Sequence, residues 1–575
     1  MIIEMLFGWR QRVRLLFRSI AKIRRMSEKA KERSVSRRMS VVPAAVCIVL
    51  SGVLITAGCK QAHPPENFIL ITLDAQRADY LSSYGAANVK TPNLDGLARQ
   101  GILFENCFSL IPITAPAHAA IFYSQPPHAL NLYNNGQEFR KSRLRQDKLP
   151  LASLFKKRGY ATAAFISLGV LHSKFALNGG FDVYSDEFPA DRWYLTAEEI
   201  NARVFPWLEA HKGEKFFLWI HYSDPHDPYA PPNSPPDLKI YQDDRLLGAY
   251  CLNKYSLNTV PIQIPSGKSR IRFDVYNTET ESQYPYPGRL TEYHFKPLPG
   301  GKTITTEFSS DWYLRYDDNN FFYKNGATID IVNRGRPTSG ELAFRGRLNL
   351  KTAGGRIRYG AEVEYMDGEI GRLIDTLKAL RLFDKTGILA VGDHGEGMGE
   401  RTTSAGLPHF GHIHYLYNGY LKVPLILYLP SLSERGIRRS PTATLLDVAP
   451  TIAHLMRFKN LPAYQGRNLL RLEEEKDFTV FEETYRPEAF KDLFGIRRGS
   501  WHLILSPEGR RYELFDLSRD FTEQANVFED NKESREIAGL KQTIDEFARN
   551  ILKSKGNINF DSETERMLRS LGYIR

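Results

Sequence analysis

Apolar runs with little polar interruption recur along the chain at Asn67–Leu73, Ala161–Ser167, Lys215–His221, Gly387–Val391 and Val423–Leu429. A run without polar alternation is the pattern of a strand buried on both faces, as in a parallel sheet. Between these runs the period changes to that of helices. Leu94, Leu97 and Ala98 share a face after Thr91-Pro92 and before Gly101, a helix with its start and stop marked. Ala117–Phe122 is a second helical run, and Val363, Met366, Ile370, Leu373, Ile374 and Leu377 mark a longer amphipathic helix. The pattern predicts an α/β fold, a central sheet flanked by helices, built from 67–236 and 351–470. After Pro231–Pro236 the helical period disappears. Ile271–Val275, Thr328–Val332 and Leu342–Phe344 alternate between Pro-Gly and Asn-Gly turns, which predicts an inserted β-sandwich-like domain over 237–350. Its aromatics Trp312, Tyr313 and Phe321 read as core or as a ligand platform. Meander strands at Gly495–Trp501 and Tyr512–Leu517, then a helix carrying Ile537, Leu540, Ile544, Phe547 and Ile551, predict a smaller α+β C-terminal subdomain over 471–575.

Composition adds little except at the N-terminus. The chain of 575 residues is 42% hydrophobic and 25% charged, an ordinary globular balance with room for two or three domains. The net charge of +11 is misleading, because residues 1–40 hold twelve Lys/Arg against three Asp/Glu and leave only +2 to the rest. No nucleic-acid footprint is expected. Arg37-Arg38 precedes the uncharged Val41–Gly58, and small residues lead to Cys59. These are the parts of a secretory signal, and Ile55-Thr56-Ala57-Gly58-Cys59 resembles a bacterial lipobox with Cys59 as the lipidated residue. Thr56 departs from the usual leucine. The expectation is an export segment over 1–58 and a tether over 59–66. It gives an exported lipoprotein of the bacterial cell envelope, periplasmic or on the outer surface; the alternative is an uncleaved N-terminal membrane anchor. The mature body retains Cys107 and Cys251, so no disulfide framework is expected.

The polar residues at strand ends carry the chemistry. Ligands bind parallel sheets just outside the carboxyl ends of the strands. Asp74 ends the first apolar run, Asp224, His226 and Asp227 follow the third, and Asp393-His394-Gly395-Glu396 follows the fourth, with His409, His412 and His414 beyond. Thr114, in Ile113-Thr114-Ala115-Pro116-Ala117-His118, stands where a helix N-terminus favours an anion or where a threonine merely caps the helix. Asp74, Asp393 and His394 make an acceptable divalent-metal set with a position open for the Thr114 hydroxyl. A metal there would activate a hydroxyl that is otherwise a poor nucleophile. Asp74 is equally readable as a helix cap.

Ordered blocks of sequence resemble a known family. They comprise Asp74-Ala-Gln-Arg77-Ala-Asp79, Tyr84-Gly85, Thr91-Pro92-Asn93-Leu94-Asp95, Asp224-Pro-His226-x-Pro-Tyr229, Asp393-His394-Gly395-Glu396, Val423–Leu427, Asp447–Thr451 and Tyr512–Leu517. The family is the sulfatases, of the alkaline-phosphatase superfamily, and the likeness spans roughly 67–234 and 356–520. It implies an alkaline-phosphatase-like central sheet and a metal-dependent ester hydrolase or transferase. The departures are specific. Where formylglycine sulfatases carry Cys/Ser-x-Pro-x-Arg, this chain has Thr114-Ala-Pro116-Ala-His118. Ala75 replaces a second aspartate, His394 replaces an asparagine, and Tyr123-Ser124 replaces a Thr-Gly pair. A histidine ligand shifts preference from calcium towards zinc or manganese. The set Asp74, Thr114, Asp393 and His394 is similar to the single-metal site of threonine-nucleophile phosphoethanolamine and phosphoglycerol transferases and phosphodiesterases. By that resemblance Thr114 attacks a phosphoryl or sulfuryl centre and forms a covalent intermediate. His118 and His226 steady its oxygens, and His226 or His412 protonates the leaving group. Asp224, His226 and His412 are a candidate second-metal set. Asp79 reads as structural, and Arg77 either supports the site or makes a structural ion pair. The leading expectation is cleavage of phosphate esters of the envelope. The alternatives are a sulfatase acting on a sulfated glycan and a non-catalytic lipoprotein that binds glycans.

Overall fold

The structure is a computed structural model, and it describes residues 64–139, 149–190, 192–227, 229–232, 234–252, 257–275, 288–297, 304–315, 320–323, 326–348, 352–402, 408–473, 478–485, 492–554, 560–571 and 573. The export segment and Cys59 lie outside them. No helix among the described residues is long and apolar enough to cross a membrane.

A central eight-stranded sheet runs, edge to edge, Ile437–Arg439, Ile102–Phe104, Leu425–Tyr428, Thr386–Gly392, Asn67–Leu73, Phe216–Tyr222, Ala161–Phe165 and Val183–Ser185. The first four of the apolar runs are mutually parallel. The fifth differs from its sequence pattern. Pro424, which has no N–H for a ladder, divides it, and Leu425–Tyr428 runs antiparallel to Thr386–Gly392. Strand alternation sends Phe68 and Leu70 to one side and Ile69, Ile71 and Leu73 to the other, each into its own core. The first core is covered by the Thr114–Tyr123 and Arg535–Ser554 helices, and the second by Pro92–Gln100, Ala197–His211 and Thr352–Ala379. The result is the layered arrangement that a two-faced apolar sheet requires.

Leu238–Leu348 forms two five-stranded antiparallel sheets whose inward residues, Ile240, Ile262, Phe273, Ile329 and Phe344 among them, share one core. Trp312 belongs to that core, donating its indole N–H to Thr328 O at 3.0 Å. The side chains of Tyr313 and Phe321 lie outside the described ones. At the root of these sheets, buried Asp237 pairs with Arg358 of the Thr352–Ala379 helix.

Near the C-terminus, Thr479–Thr484, Leu493–Arg498, Trp501–Ser506 and Arg511–Asp516 make a four-stranded meander. The run read as Gly495–Trp501 is split by a turn at Gly499, whose φ of 58° suits glycine. Inside this meander both ring nitrogens of buried His502 face carboxylates, Nε2 against Glu482 at 2.8 Å and Nδ1 against Glu523. Burial and Arg497 push the His502 pKa down, but Glu482 and Glu523 outweigh them and hold it above the usual histidine range. One arginine and one imidazolium thus balance two carboxylates in a dry interior. A raised folded-state pKa gives stability that is complete below the ordinary histidine range and is lost as pH rises through the raised value. The thermal midpoint should therefore fall on the alkaline side. His502→Gln should abolish that dependence and cost about 3 kcal/mol at neutral pH, measured by calorimetry between about pH 6 and 9.

Candidate functional site

Strand register builds the site. Leu73 pairs with Gly392 on one side and Tyr222 on the other, so Asp74, Asp393 and the Ser223–His226 loop leave the sheet at one level. Ala75 bends the chain sharply, with φ 55°, and its N–H reaches Asp393 Oδ1 at 3.1 Å. The N–H of His394 bonds the same oxygen at 2.7 Å. Tyr359 locks this turn by donating to Ala75 O at 2.6 Å and accepting from Arg77 N at 2.9 Å.

Asp74, Asp393 and His394 present ligand atoms within 4.8 Å of one another, and all three are fully buried. His394 Nδ1 lies 2.9 Å from Gly395 O; a carbonyl only accepts, so Nδ1 carries the proton and Nε2 a lone pair. That lone pair faces Asp393 Oδ2 at 3.4 Å and Asp74 Oδ1 at 3.9 Å. Asp393 Oδ2 has no hydrogen-bond partner. Burial and the neighbouring charge of Asp74 push the Asp393 carboxyl well above the usual carboxylate range, although two backbone N–H groups oppose them. Three converging acceptors in a dry interior repel one another unless a cation or proton sits among them. The donor set of two oxygens and one nitrogen fits a divalent metal.

Thr114 is not a cap. The helix begins at Thr114 itself, with Ile113 extended before it and making no side-chain cap; Asn135 Oδ1 accepts from Ala115 N–H at 2.8 Å instead. The Thr114 hydroxyl is left to face His394 Nε2 at 3.2 Å and the Tyr573 hydroxyl at 3.2 Å. His118, one turn on, donates from Nδ1 to Thr114 O at 2.8 Å. Its Nε2 lies 3.0 Å from the Thr72 hydroxyl, which accepts from Trp219 Nε1 at 2.8 Å. Burial and His221 hold its pKa well below the usual value, so His118 is a neutral ring with both nitrogens engaged. It cannot supply the charge of the arginine it replaces. Tyr123 packs in the core, and Ser124 ends the helix by donating to Leu446 O at 2.7 Å.

The other histidines surround the cluster. His226 donates from Nδ1 to Asp227 O at 2.7 Å and turns Nε2 to the Tyr573 hydroxyl at 2.8 Å. His412 donates from Nδ1 to Glu396 at 2.7 Å, while its Nε2 has no hydrogen-bond partner. Its ring lies 4.3 Å from that of His394, so it belongs to the site and not to the surface. Burial pushes His412 down to about 4, and His394 and His221 down to about 3. Asp224 is turned away, accepting from Ala197 N–H at the start of a neighbouring helix at 3.1 Å. Among the described residues the ligand atoms of Asp224, His226 and His412 form no second metal-sized cluster, which corrects that expectation. Arg77 lies behind the site, paired with Asp79 and Glu400 and donating to Glu396 O at 3.0 Å. His409 bonds Tyr420 at 2.9 Å, outside the cluster. Sequence reasoning missed His221, whose Nε2 is 3.1 Å from Asp74 Oδ2, and Tyr573. A histidine inside an apolar strand was the only signal for the first; no motif marks the second.

A family model for sulfatases matches residues 66–458, and one for the N-sulphoglucosamine sulphohydrolase C-terminal region matches 410–550. The choline-sulfatase of Rhizobium meliloti is 25% identical over 80% of this chain and 82% of its own length. The N-acetylglucosamine-6-O-sulfatase of Bacteroides thetaiotaomicron is 22% identical over 85% and 87%. Among solved structures, a protein in complex with its substrate D-glucosamine-2-N,6-O-disulfate superposes with a TM-score of 0.56 at 18% identity, over 85% of this chain and 98% of that one. The phosphonate monoester hydrolase of Agrobacterium radiobacter gives 0.53 at 17%, over 86% and 96%.

The raised Asp393 pKa makes its ionised form a burden on the metal-free fold at neutral pH. Asp393→Asn should therefore raise the thermal midpoint of the metal-free protein. It should also remove the stabilisation, about 2.7 kcal/mol at a hundredfold excess over Kd, that a bound cation confers on the unaltered chain. Calorimetry with and without zinc, manganese or calcium reads both effects.

Proposed function

This chain belongs to the sulfatase family of the alkaline-phosphatase-like superfamily, and from that premise we propose that it hydrolyses sulfate esters of a glycan with Thr114 as the nucleophile. The observation that carries the reading is Thr114 Oγ1 standing 3.2 Å from His394 Nε2, at the edge of the Asp74–Asp393 pair. Asp74, Asp393 and His394 would hold a divalent cation, zinc or manganese before calcium because one ligand is an imidazole, and it would supply positive charge towards the ester oxygens and the threonine hydroxyl. Thr114 Oγ1 attacks sulfur as its proton leaves, the ester S–O bond breaks, and a threonine sulfate remains for water to cleave. His226, whose Nε2 is the accepting nitrogen because Nδ1 is committed to Asp227 O and which bonds the Tyr573 hydroxyl at 2.8 Å, takes the Thr114 proton and returns it to the departing alcohol. His118 holds the first helical turn through Thr114 O and so fixes the direction of attack.

The charge balance supports a singly charged ester. The imidazoles of His118, His221, His394 and His412 are all held neutral, so one cation must offset two carboxylates and the substrate. A sulfate monoester brings one negative charge, and a phosphate monoester brings nearly two. The phosphate-ester preference suggested by Thr114 in the sequence finds no support among the relatives, which are sulfatases. A second reading stays within the same charge class. Phosphonate monoesters and phosphodiesters are also monoanions, threonine is an unmodified nucleophile, and phosphonate monoester hydrolases share the fold. The proposed glycan substrate rests on the sulfated amino sugars named for two relatives. The lipobox-like Ile55–Cys59 supports a place in the cell envelope; there Cys59→Ala should abolish labelling by fatty acid.

Purified protein should release sulfate from N-acetylglucosamine-6-sulfate or an aryl sulfate. Thr114→Ala should lower kcat/KM by about a thousandfold or more. Parallel assays on an aryl phosphodiester and an aryl phosphonate monoester separate the two readings. Sulfatase activity surviving Thr114→Ala would sink the nucleophile assignment.

A further inference from the structure

The site is sealed. Asp74, Thr114, Asp393 and His394 are 0% exposed, and His226 and His412 are 2% and 6% exposed. Among the described residues this packing covers Thr114 Oγ1 from solvent. The side chain lying against these groups is Tyr573, whose phenol oxygen is 3.2 Å from Thr114 Oγ1 and 2.8 Å from His226 Nε2. Its ring meets those of His226 and His412 edge-on at 5.5 and 5.4 Å. Donor accounting fixes one of these bonds. His226 Nδ1 gives its hydrogen to Asp227 O, so Nε2 accepts and the phenol donates to it; the single Thr114 hydrogen then faces two acceptors, the phenol oxygen and His394 Nε2. One side chain therefore occupies both the nucleophile and its proton acceptor.

What delivers Tyr573 is a short helix, Ser562–Ser570, capped by Asp561 through Thr564 N–H at 2.8 Å. It joins no sheet. Met567, Leu568 and Leu571 dock it in the first core, against two glycines that leave room for it. A Cβ on Gly136 would come within 2.8 Å of Leu568 Cδ1, and one on Gly169 within 3.2 Å of the Met567 sulfur. A polar bond from the Tyr194 hydroxyl to Leu571 O is long, at 3.4 Å. A helix of this length, held by these apolar contacts and a half-exposed ion pair, Lys174–Glu563 at 3.5 Å, opens more readily than the sheet beneath it.

We propose that Tyr573 is the access-determining residue of this site, an internal occupant of the reacting-group position that an ester's anionic head must displace. The proposal rests on Thr114 being the reactive group. With the phenol in place the nucleophile is withheld from water and from small anions. Binding requires the Ser562–Ser570 helix and Tyr573 to yield, so the apparent affinity is lowered by the fraction of protein that is open.

Binding of inorganic sulfate to the full-length protein, loaded with zinc or manganese, tests this without turnover. Titration calorimetry should show the dissociation constant fall about tenfold in Tyr573→Ala and about threefold in Tyr573→Phe, which keeps the ring and loses both hydrogen bonds. Sulfate bound equally or more weakly by folded Tyr573→Ala would overturn the proposal. In the unaltered protein, sulfate should speed amide hydrogen exchange at Met567–Leu571, and slower or unchanged exchange there would also overturn it. If sulfate binds as expected but no ester is cleaved, the gate stands and the hydrolase reading fails.

Discussion

The molecule is organised around two carboxylates that the sheet forces together. Once Leu73 pairs with Gly392, the residue after each strand is an aspartate, and the Ala75 turn and the His394 N–H lock Asp393 beside Asp74. Like charges brought this close away from water oppose folding. The surrounding structure meets that cost with backbone that cannot move independently: a strand buried on both faces, a left-handed alanine, and a tyrosine bonded to both sides of the turn. A site of this kind is destabilising until occupied, and a metal-dependent enzyme needs that condition.

The imidazoles complete the arrangement by remaining uncharged. In most anion sites arginine or lysine provides attraction; here burial keeps His118, His394 and His412 neutral, and the imidazoles around the cluster each spend one nitrogen on a fixed acceptor. His394 uses Gly395 O, His226 uses Asp227 O, and His412 uses Glu396. The remaining nitrogens of His394, His226 and His412 point inward as lone pairs. In the proposed reaction, attraction for the ester would thus be concentrated in one cation, and discrimination among esters would come down to how many negative charges that cation can offset.

Much of this was legible in the sequence because the determining pattern is local. Uninterrupted apolar runs located the parallel strands to within a residue or two, and acidic residues at their ends located the site. Features set by distant contacts were not legible. Whether Thr114 caps its helix depends on Asn135 taking that role. Asp224 sits in the right loop but turns to the Ala197 N–H of the next helix, which no spacing rule foretells. Pro424 divides an apolar run whose hydrophobicity alone shows no break. Tyr573 lies 459 residues from Thr114 in a segment with ordinary composition; its position follows from the fit of a small helix against Gly136 and Gly169.

The buried Asp237–Arg358 pair has a consequence for how such a chain arises. It joins the point where the backbone leaves the catalytic sheet to the helix by which it returns, so the Leu238–Leu348 excursion is clamped at its neck. The core of its two sheets is self-contained, with no residue in either core of the central sheet. Lineages could exchange, enlarge or lose everything beyond that neck while the register that aligns Asp74 with Asp393 stayed intact. The excursion is thus a cassette, and its surface can diversify without disturbing the chemistry beneath.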